Sequence, residues 1–169
     1  MHYQKLTAAQ RRELLAALEE MRGYLRESFA ALTSEQARTR GPGDFFSPVE
    51  HVWHLVDLER EGFNRRIGRL LMEDNPLLPD FDGDALAEQR NYRALSLSDG
   101  LAAFAKARRA NVAALRAVPA DAWSRGGTQA GVGGVTLGDL PGLMLEHDEG
   151  HKSQIEDWKR HMGLAGGRQ

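Results

Sequence analysis

The sequence predicts an all-α protein built as a four-helix bundle, and three observations carry that prediction. Four long segments place apolar residues at helical spacing. Capping signals open these segments, while prolines and glycines break the chain between them. No internal repeat and no convincing strand appears. One long connection, between the second and third helices, makes the arrangement a bundle with a crossover.

The first helix starts near Thr7, where Thr7 and Gln10 can form a capping box. Leu14, Leu15, Leu18, Met21, Leu25, Phe29 and Leu32 mark its inner face. It should fade near Thr33-Ser34, and Gly41-Pro42-Gly43 is a firm break. In the second helix Ser47 caps, Pro48 takes the first position and Glu50 completes another capping box. Val49, Val52, Val56, Phe63, Ile67 and Leu70 form one face, and the helix runs to about Met72.

Residues 73–95 are the longest irregular stretch, with a short helix expected near 84–93. A connection of this length in a compact domain is often functional. The third long helix covers about 98–117, with Leu101, Phe104, Val112 and Leu115 inward, and Pro119 stops it. The glycine-rich run after Trp123 reads as a loop; Val132–Thr136 has strand-forming residues, but its glycines argue against pairing. The fourth helix starts at Thr136 or Asp139 and ends near Met162-Gly163. Pro141 requires either a late start or a kink there.

The 169 residues are the size of one domain, so 1–169 reads as a single bundle. A formal net charge of −2 gives no electrostatic case for nucleic acid or an acidic membrane. Basic pairs such as Arg11-Arg12 and Arg108-Arg109 read as solvated helix faces. No apolar run approaches the ~20 residues of a membrane span. Charges at Lys5, Arg11 and Arg12 interrupt any signal-peptide core, so the expected location is the cytoplasm. The absence of cysteine excludes disulfides, thiolate ligands and a cysteine nucleophile.

The chemistry concentrates in LMLEHDEGHKSQIEDW. His147 and His151 stand four apart, one turn apart on a helical face shared with Leu140, Met144, Ile155 and Trp158. Two imidazoles in an apolar stripe need partners for both ring nitrogens, and a shared metal ion supplies one to each. A third ligand must come from elsewhere. His2 is terminal, and His161 lies about 15 Å further along the helix. His51 and His54 remain. Periodicity alone leans toward His51, or toward neither.

Between the paired histidines, Asp148 looks like the base of a zinc-protease motif but is one carbon shorter; a solvated acid is the plain alternative. Gln154, on the face of His151, is a candidate for holding substrate or water, or for satisfying buried backbone. Asp57 is either an outer acceptor or, with Glu61, part of an exposed acidic strip. Loops 73–95 and 124–135 are expected to rim the site, with Trp53, Phe81, Tyr92 and Trp123 as wall candidates or core residues. A di-iron site is disfavoured because the Glu-His spacings are wrong. The glycines of 126–134 match no phosphate-binding motif.

FFSPVEHVWHLVDLERE resembles the second-helix motif of the DinB-like superfamily, with His54-Leu55-Val56-Asp57 at its centre. HDEGHKSQI resembles the last-helix motif of that family. NPLLPDFDGD and GGVTLGDL are similar to the crossover and last-helix approach of its YfiT-like branch. The resemblance implies a four-helix bundle with one divalent ion, often nickel or zinc, on His54, His147 and His151. His51 then becomes a neighbour outside the ligand set. Three neutral imidazoles leave the ion an open position, where a water's pKa falls from about 15.7 toward ~7. A bound thiol would likewise be deprotonated.

The expected function is therefore a metal-dependent hydrolase or an S-transferase using a low-molecular-weight thiol on a small-molecule substrate. A non-catalytic metal-binding or stress-response bundle is the alternative. Three imidazoles also accept iron or copper. The resemblance further implies a homodimer, although no interface is legible in the sequence.

Overall fold

Four long helices form the frame, as the periodicity predicts. The computed structural model describes residues 6–78 and 80–164, apart from the Asp44 side chain. His2 and Pro79 lie outside the described residues. The first helix, α1 (Ala8–Phe29), opens with the expected Thr7–Gln10 capping box. A second box, Thr33 with Gln36, starts a short α2 (Ser34–Arg38), and a 3-10 turn follows at Pro42–Asp44. Next come α3 (Pro48–Asp57), capped by Ser47 and Glu50, a π-helical segment (Leu58–Phe63) and α4 (Asn64–Met72). These three run on as the second long helix.

The crossover contains a short strand, β1 (Leu77–Leu78), then α5 (Gly83–Gln89) and a 3-10 turn (Tyr92–Ala94). The third and fourth frame helices are α6 (Leu97–Arg116) and α7 (Leu140–His161). Pro141 falls in the first turn of α7, where its missing N–H costs nothing, so the late start is the correct alternative. No helix among the described residues is long and apolar enough to cross a membrane.

The glycine-rich run departs from expectation. It folds into a hairpin, β2 (Gly126–Gln129) and β3 (Gly133–Thr136), with β1 pairing parallel to β2. The glycines taken as evidence against a strand make it possible. Gly131 (φ 74°) and Gly133 (φ 103°) turn the hairpin in the left-handed region. At Gly127 a side chain would meet the Pro76 carbonyl at 2.5 Å, so only glycine lets β1 come this close.

Arg108 also departs from expectation. It is 1% exposed, not solvated, and all five of its N–H groups are used. Nε and Nη2 reach Glu59 at 3.0 and 2.9 Å. Nη1 and Nη2 hold the two oxygens of Asp148 at 2.6 and 2.8 Å, and Nη1 also donates to the Leu18 carbonyl at 2.9 Å. Asn111 completes the set by donating to Glu59. This polar layer touches all four frame helices. On one side of it lies a core that includes Leu18, Phe63, Leu115, Leu140 and Met144. On the other lies one that includes Met21, Leu25, Val52, Leu55, Phe104 and Ile155.

Removing one member of a buried ion cluster leaves its partners charged and unpaired, which costs about 3–5 kcal/mol. Arg108→Met should therefore lower the urea unfolding free energy by about that amount. The triple change with Glu59→Met and Asp148→Leu should recover most of the loss; equal destabilisation in both proteins would contradict this account.

Candidate metal centre

The site lies where α3 faces α7. The backbones of these two helices approach less closely than those of α3 and α6. Imidazole rings fill the space between them. His54 projects from α3, and His147 and His151 project from successive turns of α7. Each offers one nitrogen, and the three nitrogens lie within 4.8 Å of one another. Nε2 of His54 and Nε2 of His147 are 3.5 Å apart. Ligands about 2.0–2.1 Å from a tetrahedral ion sit ~3.4 Å from each other, so this pair is already near coordinating separation. Ring centroids are 4.5 Å apart for His147–His151, 4.9 Å for His54–His151 and 5.5 Å for His54–His147.

His51 stands behind His151 and is fully buried. Its Nδ1 is 2.9 Å from Nδ1 of His151. Helical wheels fail on the second helix for two reasons. Every residue of α3 except Trp53 is buried, so it has no polar face to contrast with an apolar one. The π segment then inserts extra residues, shifting the phase between α3 and α4.

Aromatic rings and a glycine seat the cluster. Phe46 lies 5.8 Å from His51 and 5.4 Å from His54, centroid to centroid, and Phe81 lies 5.8 Å from His54. Gly83, the first residue of α5, backs directly onto His54; a methyl group there would come within 2.2 Å of the ring. A cleft of about 300 Å³ opens beside His54 and His151, lined also by Phe45, Phe46, Asp84 and Gln154.

A profile described as the DinB superfamily matches residues 17–155. The chain belongs to the DinB superfamily. No curated protein sequence matches it. Among solved structures, YfiT from Bacillus subtilis, described as a probable metal-dependent hydrolase with an unusual four-helix bundle topology, superposes with a TM-score of 0.86. The two are 23% identical, over 95% of this chain and 92% of that one. At that identity the likeness speaks for the fold.

The remaining residues singled out from sequence are dispersed in this DinB-superfamily bundle. Asp148 is held by both carboxylate oxygens on Arg108, which argues against a base at the histidines. Asp57 does not reach the histidines by any hydrogen bond. It is buried, and its Oδ2 accepts from Arg90 and from the Tyr92 hydroxyl, both at 2.5 Å. Glu61, still partly exposed, accepts from Arg90 too, so the acidic strip clamps the crossover and only its Asp57 end is withdrawn from water. Trp53 donates from Nε1 to the Ser96 carbonyl at the start of α6. Trp123 packs in the core with Arg11 over its ring.

Of the four wall candidates, only Phe81 touches a histidine ring. Gln154 lines the cleft. Loop 124–135 contributes nothing to it; Phe45 and Phe46 do instead. The adjacent phenylalanines beside the Ser47 cap were the available sequence signal for that rim.

Burial dominates the titration of the rings. It pushes His51 down to about 3, with His54 adding to the effect. It pushes His54 down to about 4, assisted by His147. Burial lowers His147 as well, against the opposing pull of Asp148. Burial lowers His151 well below the ordinary range, and its three neighbouring rings reinforce the effect. All four are neutral near pH 7, the form in which imidazole binds metals.

Two outcomes follow. Between about pH 6.5 and 4 the unfolded chain binds protons on His51 and His54 that the folded chain refuses. The metal-free protein should therefore lose stability from about pH 7 to about 5, while NMR shows both rings still neutral. Ring resonances titrating near 6.5 would contradict this. Gly83→Ala should displace His54 and weaken zinc binding about tenfold or more in a chelator competition, with secondary structure unchanged by circular dichroism. Unaltered affinity would show that the α5 contact does not seat the ring.

Proposed function

We propose that the protein is a mononuclear metal-dependent hydrolase, its ion held by His54, His147 and His151. The observation that carries this reading is the convergence of three neutral rings, two buried and one half-buried, beside an open cleft. The donor set fits a borderline divalent ion. So do the Nε2 atoms of His54 and His147, which face each other at 3.5 Å, near the separation of two ligands on one ion. Nickel or zinc is the proposed ion, with iron also compatible. The likeness to YfiT, described as a probable metal-dependent hydrolase, supports the same reading. When bound, such an ion supplies a Lewis acid that polarises a carbonyl and makes water a nucleophile near neutral pH.

The chain's own residues define what can bind. Phe45 and Phe46 offer an apolar wall, Gln154 an amide, and Asp84 a carboxylate. No lysine or arginine lines the cleft among the described residues. An uncharged or cationic ester or amide therefore fits better than a phosphate ester. Gln154 is positioned to hold the substrate carbonyl or amide. Asp148 has no part in the reaction on this reading.

The test uses protein purified without an affinity tag, stripped by chelator and reloaded with nickel or zinc. One ion per chain should bind, and His151→Ala should bind it about a hundredfold or more weakly while keeping its helical content. Metal-dependent turnover of chromogenic esters or amides is expected, lost in the same variant. Turnover only when a low-molecular-weight thiol and an electrophile are supplied would make the protein an S-transferase. Stoichiometric metal without any turnover would make it a metal-binding bundle, and no bound metal would overturn the reading altogether.

A further inference from the structure

His51 is the member of the imidazole cluster that ligation leaves unused. It is fully buried, and among the described residues its one ring hydrogen-bond contact is the 2.9 Å approach to His151, Nδ1 to Nδ1. Two bare lone pairs at that distance would repel, and two N–H groups would collide, so a single proton bridges them. The proton belongs to one ring, and its owner decides what His151 can do. A neutral imidazole carries one proton. If His51 donates, His151 keeps its proton on Nε2 and has no lone pair there. If His151 donates, its Nε2 is bare and able to ligate.

Resting on the metal-site reading, we infer that His51 is a positioning residue that accepts the Nδ1–H of His151 and so holds His151 as an Nε2 ligand. This sets His151 apart from the other two histidines. Nδ1 of His54 and Nδ1 of His147 have no partner among the described residues, so nothing in the described chain selects their tautomers. His151 alone is set in advance. The acceptor is also unusual. Outer partners of metal-bound histidines are commonly carboxylates or backbone carbonyls. A neutral ring orients the ligand without offsetting any of the ion's charge, which keeps the ion a stronger Lewis acid. His51 in turn keeps its own proton on Nε2, a buried atom without a partner among the described residues, in a ring set edgewise to Phe46.

Two measurements on zinc-loaded protein test this. Long-range proton–nitrogen NMR correlations in the wild type should place the proton of His151 on Nδ1 and that of His51 on Nε2. Chelator competition should show zinc bound about 10–100-fold more weakly by His51→Phe, which has no acceptor. His51→Asn, whose amide oxygen stands near the position of Nδ1, should recover most of that loss. A proton on Nε2 of His151, or on Nδ1 of His51, would overturn the inference. So would undiminished zinc affinity in a folded His51→Phe. If that variant does not fold, the wild-type tautomers decide. Wild type that binds zinc with the wrong tautomers leaves the metal reading standing, whereas wild type that binds no zinc removes both.

Discussion

A single buried guanidinium holds the four frame helices in register. Arg108 sits on α6, and its donors end on the π segment, on α1 and on α7. A cation with five N–H groups cannot stay in an apolar interior unless each is answered, so its partners have little freedom. Asp148 is the partner that matters for the site. It follows His147 in sequence and therefore points ~100° away around α7. With Asp148 tied to Arg108, α7 has one rotation available, and that rotation turns His147 and His151 toward α3. Glu59 plays the matching part on the second helix. Burial raises its pKa, while Arg108 and Asn111 pull it back down.

The histidine cluster lies close to this polar layer, between the two apolar halves of the core. Four imidazoles in an interior are costly unless they are neutral and their nitrogens are used. Burial makes them neutral, but only part of their hydrogen-bonding capacity is satisfied within the described chain. Local conflict of this kind, inside an otherwise consistent fold, is expected at functional sites. The π segment belongs to the same compromise. By adding residues to the second helix it brings Glu59 onto the Arg108 layer while α3 carries His54 to α7.

The crossover does more than connect. Asp57 and Glu61 clamp Arg90, and Asp57 also takes the Tyr92 hydroxyl. The clamp draws α5 against α3, and Gly83 at the start of α5 meets the His54 ring with no room for a side chain. Acidic residues that looked like candidates for the chemistry instead fix the segment that seats His54. The hairpin and β1 hold the other end of the crossover. Thr128 N–H and Ala130 N–H donate to the carbonyls of Pro76 and Leu78.

Local rules were enough to set the helices, their caps and the pairing of His147 with His151, because spacing along one helix and side chain–backbone bonds within a turn involve only near neighbours. Residues such as Thr7, Ser47, Pro48 and Pro141 carried those signals directly. Choosing between His51 and His54 required the second helix's neighbours, since a segment buried on all sides shows no amphipathic contrast. Arg108 falls on the stripe of Phe104 and Val112, but the chain alone does not say that acids from two other helices will meet it. The hairpin glycines were ambiguous for a similar reason, because their value lay in the closeness of Pro76. The tertiary structure decided each of these cases, through contacts between groups far apart in sequence, whose energies depend on what they meet and not on what they are.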